Sequence, residues 1–144
     1  MTIYAVWAQD IITYSISYNY ANGTKGSSNP ASATVGNYIT VSNPTRSGYN
    51  FTGWNITGMN PTSTQKCYYG SATSDSSNKS TTATSLSGIT GTKFKNLRTS
   101  AGTVTFTATW EVIPTATTYT ISYNYDGGSR GTYAPTSATV GSYV

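Results

Sequence analysis

The chain of 144 residues has the length of about one domain, yet only 8% of it is charged and it holds no histidine. Its net charge of +4 comes from five lysines and three arginines scattered without a run of three, so neither a nucleic-acid footprint nor a membrane-binding cluster is present. Polarity comes instead from Thr, Ser, Asn and Tyr hydroxyls and amides, a composition that suits extended strands and opposes helices.

In chain order, Met1–Trp7 (MTIYAVW) alternates like a strand. It lacks the basic and apolar regions of a signal peptide, so any export signal is expected outside this sequence. Tyr14, Ile16, Tyr18 and Tyr20 share one face of a strand, with Ser15, Ser17 and Asn19 on the other. The tyrosines lie on the Ile16 side, so that face reads as core and not as a sugar-stacking platform. Gly23 and Gly26 mark a turn. A second strand is expected over Ala31–Thr40, bent at Gly36. Tyr49, Phe51 and Ile56 alternate with polar residues after Pro44 and Gly48.

The Ser/Thr-rich middle, Ser71–Ser87, has few apolar anchors. A long structureless loop is disfavoured in a compact domain, so extra strands are expected at Cys67–Tyr69 and Thr84–Leu86. Phe94 and Leu97 sit at helical spacing and suggest one short turn. The last strand has the clearest pattern: Val104, Phe106, Ala108 and Trp110 point one way, and Thr103, Thr105, Thr107 and Thr109 the other. No segment reaches the roughly 20 apolar residues of a membrane span.

Two internal matches organise the chain. Tyr14–Ile39 aligns with Tyr119–Val144 without a gap, 105 positions on, with 15 of 26 residues identical. Thr2–Trp7 aligns with Thr105–Trp110, 103 positions on. Residues 1–10 are therefore expected to be the closing strand of a preceding repeat and 11–113 a complete repeat. Residues 114–118 would be a linker, and 119–144 the opening strands of a following repeat. Modules of this kind contact mainly their neighbours.

The motif Pro44-Thr-Arg-Ser-Gly-Tyr-Asn-Phe-Thr-Gly-Trp54, with the ending Val104-Thr-Phe-Thr-Ala-Thr-Trp110, resembles the Listeria–Bacteroides repeat, the family of the internalin B-repeats. The resemblance implies a mainly β, ubiquitin-like β-grasp module in tandem repeats. Here the module would carry an expanded Ser/Thr-rich middle between Trp54 and Phe94. It also implies a place in long exported bacterial surface proteins of adhesin type, as extracellular spacers or stalks. It brings no catalytic residues.

The residues themselves supply no catalytic, cofactor or metal site. The acids Asp10, Asp75, Glu111 and Asp126 form no acid–base pair along the sequence. The chain thus reads as non-enzymatic, with no cofactor. One covalent possibility is a Lys–Asn isopeptide assisted by an acid, from Lys93 or Lys95 with Glu111. Sequons at Asn22, Asn50, Asn55 and Asn78 are candidate glycosylation sites. The single Cys67 is either free or paired between chains. Expected partners are neighbouring repeats, other copies of the chain, or a surface glycan or protein. Fibre assembly by strand complementation is the corresponding alternative.

Overall fold

The computed structural model describes residues 1–144, and it is mainly β. The chain divides into two compact units, Met1–Val112 and Ile113–Val144.

In the first unit, residues 1–12 form no strand, and the side chains of Ile3, Val6 and Trp7 are exposed. The strands then run β1 (Thr13–Asn19), β2 (Ser32–Thr34), β3 (Tyr38–Thr40), β4 (Tyr49–Thr57) and β5 (Cys67–Gly70). A single 3-10 turn, Asp75–Ser77, precedes β6 (Lys79–Thr81), β7 (Leu86–Ile89), β8 (Lys93–Lys95) and β9 (Thr103–Val112). Five of them form one sheet in the order β2-β1-β9-β4-β7, and four form a second in the order β3-β8-β5-β6. The opening and closing strands, β1 and β9, are neighbours and run parallel, with Ile16 opposite Val104 and Tyr18 opposite Phe106.

The alternation read in β1 and β9 places Tyr14, Ile16, Val104, Phe106 and Ala108 in the core. In β4 the apolar positions switch from odd (Tyr49, Phe51) to even (Trp54, Ile56). A bulge between Phe51 and Gly53 absorbs the switch, and Gly53 adopts φ +134° there. A side chain at Gly53 would also strike the Gly88 backbone. Trp54 enters the core and meets Phe106 edge to face at 5.6 Å, while Phe94 of the second sheet meets Phe106 at 5.1 Å. Such pairs add roughly 0.5–1.5 kcal/mol beyond area burial. The two sheets thus share one core with Val41, Met59, Cys67 and Leu97.

Besides Met1–Trp7, which forms no strand, and the strand expected over Thr84–Leu86, which runs Leu86–Ile89 instead, three local expectations change. The second strand is two, because Gly36 at φ +91° turns the chain out of the five-stranded sheet and into the other. Gly23 and Gly26 are not the turn residues; Ala21 and Asn22 adopt positive φ instead. The glycines answer to close approach, since a Cβ on Gly23 would fall on the Trp110 ring, and one on Gly26 would lie 2.5 Å from Ser42 Cβ. Lys93–Lys95 is a strand and not a helical turn. Phe94 and Leu97 are both buried because Asn96, at φ +55°, reverses the chain between them. Asn96 is itself buried, and its side chain accepts from Gly36 N (2.7 Å) and donates to Lys66 O (3.3 Å).

The second unit holds one antiparallel pair, β10 (Thr118–Thr120) and β11 (Ser137–Thr139). Its rungs are Thr118–Thr139, Tyr119–Ala138 and Thr120–Ser137, each 105 positions beyond a rung of β1–β2. The turn between them is built alike too. Asn19 Oδ1 accepts from Ala21 N and Asn124 Oδ1 from Asp126 N, both at 3.0 Å.

Candidate functional site

The only salt bridge of the chain lies on the four-stranded sheet. Lys95 Nζ donates to both oxygens of Asp75 at 3.0 Å. Tyr38 Oη donates to Asp75 Oδ1 at 2.8 Å, and Asn78 Nδ2 donates to Tyr38 Oη at 3.1 Å. The register explains the assembly. Lys95 stands opposite Tyr38 on one side and Tyr68 on the other, so its ammonium lies over both rings. The 3-10 turn then delivers Asp75 above it. The Lys95 and Tyr38 hydrogen bonds hold the Asp75 carboxyl below the usual carboxylate range. Burial pushes the Tyr38 hydroxyl up.

Beside this cluster lies a cleft of about 310 Å³ lined by Tyr69, Gly70, Ser77, Asn78, Gly88 and Thr90. Its walls come from the Ser/Thr-rich middle and the ends of the strands that flank it, so they offer hydroxyls, an amide, backbone groups and the Lys79 ammonium. Asn78 is committed to structure: its Oδ1 accepts from Ala72 N and its Nδ2 also donates to Ala72 O. The amide that a glycan would occupy is therefore already bonded. Asn55 is tied as well, its Oδ1 accepting from Gly88 N at 3.2 Å. Asn22 and Asn50 are the two sequon residues that stand exposed, in the Ala21–Asn22 turn and on β4.

The lysines and acid considered for an isopeptide are not brought together as expected. Lys93 donates to Thr40 Oγ1 at 2.6 Å. Glu111 lies in the other sheet, opposite Asn50, and forms no ion pair. The acid at Lys95 is Asp75, a residue whose role the linear sequence hides, although its position as the lone acid of the Ser/Thr-rich middle is a signal. Both partners of the pair reach solvent, with side chains 20% and 42% exposed. An ionised, solvated carboxylate is a poor acylating group, so this arrangement favours an ion pair over an amide bond.

Cys67 is wholly buried, which opposes pairing between chains in the folded state; burial pushes its thiol up to about 12. No group of three or more Cys, Asp or Glu side chains is placed to hold a metal ion, and no helix is long and apolar enough to cross a membrane. No family model matches the chain, and no curated protein or solved structure matches it either.

Proposed function

We propose that the chain is a non-catalytic structural repeat, a spacer or stalk segment of a larger secreted or cell-surface protein of adhesin type. The observation that carries this reading is the path of the chain through the first unit. β1 and β9 are adjacent and parallel, so the chain enters at one end of the sheet and leaves at the other. Ser15 lies level with Thr103, which puts Thr13 and Val112 about 36 Å apart along the strand direction at roughly 3.3 Å per residue. Modules built this way join in line and add length. The repeated sequence 105 positions on, with its equal β-rung register, supports a tandem arrangement.

The finer reading is a β-grasp module of the Listeria–Bacteroides type. The motifs at 44–54 and 104–110 support it, as does a mixed sheet whose central pair is the first and last strand in parallel. In this chain a four-stranded sheet, and no α-helix, shares the core of the five-stranded one.

Small-angle scattering on chains with one and two copies of residues 11–113 tests the spacer reading. The expected result is a maximum dimension that grows by a constant increment per copy. A particle that only thickens overturns it. A second reading, recognition of a polyhydroxyl ligand such as a glycan, is favoured by the hydroxyl-rich walls of the cleft, where Lys79 is the one charged residue. A glycan array probed with the whole chain separates the two, and silence supports the spacer.

A further inference from the structure

We propose that the cleft at the Ser/Thr-rich middle binds an acidic sugar, a pyranose ring bearing one carboxylate, and that Lys79 takes the carboxylate. This goes beyond the spacer reading; it rests on the second reading above and gives that cleft a ligand class. The topology makes the cleft. β7 is the last strand of the five-stranded sheet and β6 the last of the four-stranded one. Gly88 and Ile89 of β7 line the cleft together with Lys79 of β6 and Tyr69 of β5, so it opens where the two sheets end.

One rung of the four-stranded sheet runs from the core to this opening. Phe94 stands opposite Tyr69, and Tyr69 opposite Lys79. Side chains on one rung share a face of the sheet. Along it Phe94 is buried, Tyr69 half-buried and Lys79 exposed. Lys79 therefore stands on the core-facing side of an edge strand, at the mouth of the cleft, and not on the outer face with Tyr68 and Ser80. No partner within the chain uses its charge. The one salt bridge is Asp75–Lys95, and Tyr38 also bonds Asp75. No acidic residue lines the cleft.

The remaining walls suit a sugar ring. Asn78 and the Gly88 amide are spent on the fold. That leaves the hydroxyls of Ser71, Ser77 and Thr90 to donate and accept. Tyr69 adds aromatic surface beside them. A volume of about 310 Å³ lies at the small end of ligand sites, so it admits one ring better than a long chain. Lys79 is the only cation of the lining, and one ammonium matches one carboxylate. An inward lysine on an edge strand also keeps sheets from joining edge to edge. That role calls for no ligand, and binding separates the two.

Titration of the whole chain with methyl glucuronide, methyl glucoside and acetate, followed by amide NMR signals, tests this. Methyl glucuronide should shift the signals of Gly70, Ser71, Lys79 and Thr90. Methyl glucoside and acetate should each bind about fivefold more weakly or worse, because each lacks half of the contacts. Lys79→Gln should weaken glucuronide binding about fivefold, and Lys79→Arg should retain it. Added salt should weaken binding to the parent chain more than to Lys79→Gln. Signals unmoved by every probe overturn both this proposal and the glycan reading. Equal binding of glucoside and glucuronide overturns this proposal alone and leaves a neutral-sugar site. Acetate that binds as well as glucuronide overturns it too, since the ring then contributes nothing. So does a Lys79→Gln chain that binds like the parent but associates with itself, which would assign Lys79 to edge protection.

Discussion

Residues 14–39 and 119–144, identical at 15 of 26 positions, stand in two different surroundings. β1 extends over seven residues, whereas β10 spans three. Both pair with a short antiparallel partner in equal register. The additional residues, Ile16–Asn19, are those that β9 holds by parallel pairing. Tyr14 is 2% exposed and its copy Tyr119 is 46% exposed. The local sequence therefore suffices for the turn, the β-rungs and the stacked tyrosines. Tyr18–Tyr20 and Tyr123–Tyr125 lie at the same 5.8 Å. Strand length and burial come from a partner 88 residues away.

The comparison can be broken most severely at Phe106, which packs on Tyr18, Trp54 and Phe94. Phe106→Ala should destabilise the first unit by about 3–5 kcal/mol. By hydrogen exchange, Ile16–Asn19 should then lose protection and approach the behaviour of Ile121–Asn124; unchanged protection would show that β1 needs no β9.

Alkaline pH should act on the same core. Burial pushes Cys67 up to about 12 from 9.0, and Tyr14 up to about 12 from 10.0. The Tyr14 hydroxyl adjoins the Leu97 backbone without making a hydrogen bond of normal geometry. Both groups are neutral in the fold and ionise first in the unfolded chain. Their stabilisation is complete below about pH 9 and is lost as pH rises toward 12, by at most about 1.4 kcal/mol per pH unit for each group. Denaturant titrations at pH 8, 9.5 and 11 measure the slope, and Cys67→Ala should flatten it.

Gly23 and Gly128 sharpen the comparison at a single aligned position. Gly23→Val drives a side chain into Trp110 and should cost about 1–3 kcal/mol. Gly128→Val meets only Tyr125 O at 3.1 Å and should leave the thermal melt of the first unit unmoved. Equal effects would mean that the glycine is needed for the turn and not for the indole.

The smallest effect is expected at the Asp75–Lys95 pair, which has no counterpart in residues 118–144. Hydrogen bonds from Lys95 and Tyr38 lower the Asp75 carboxyl, so its contribution is present above the free carboxyl value of 3.8 and lost as pH falls through it. Solvent screens an exposed pair. Asp75→Asn should barely move the melting temperature at pH 7 and should remove a small part of the acid sensitivity between pH 5 and 3.

The candidate cleft was the least legible part of the molecule. Ser71–Ser87 has no period to read, and its strands β6 and β7 exist because β5 and β4 offer edges to them. Phe94 and Leu97 illustrate an ambiguity of another kind. A spacing of three suits a helical turn, and equally a strand followed by a left-handed asparagine, and only the contacts of Asn96 decide between them.

By itself the sequence determined the strands whose apolar residues alternate, β1 and β9 above all, and the correspondence between residues 14–39 and 119–144. Period-two patterning and turn chemistry are local, and they travel with the residues. The tertiary structure alone decided that the first and last strands lie parallel and adjacent, that Gly36 divides one expected strand between two sheets, and that Asp75 meets Lys95. Each of these depends on backbone or side-chain partners distant in the chain, and such pairings leave no period behind them in the sequence.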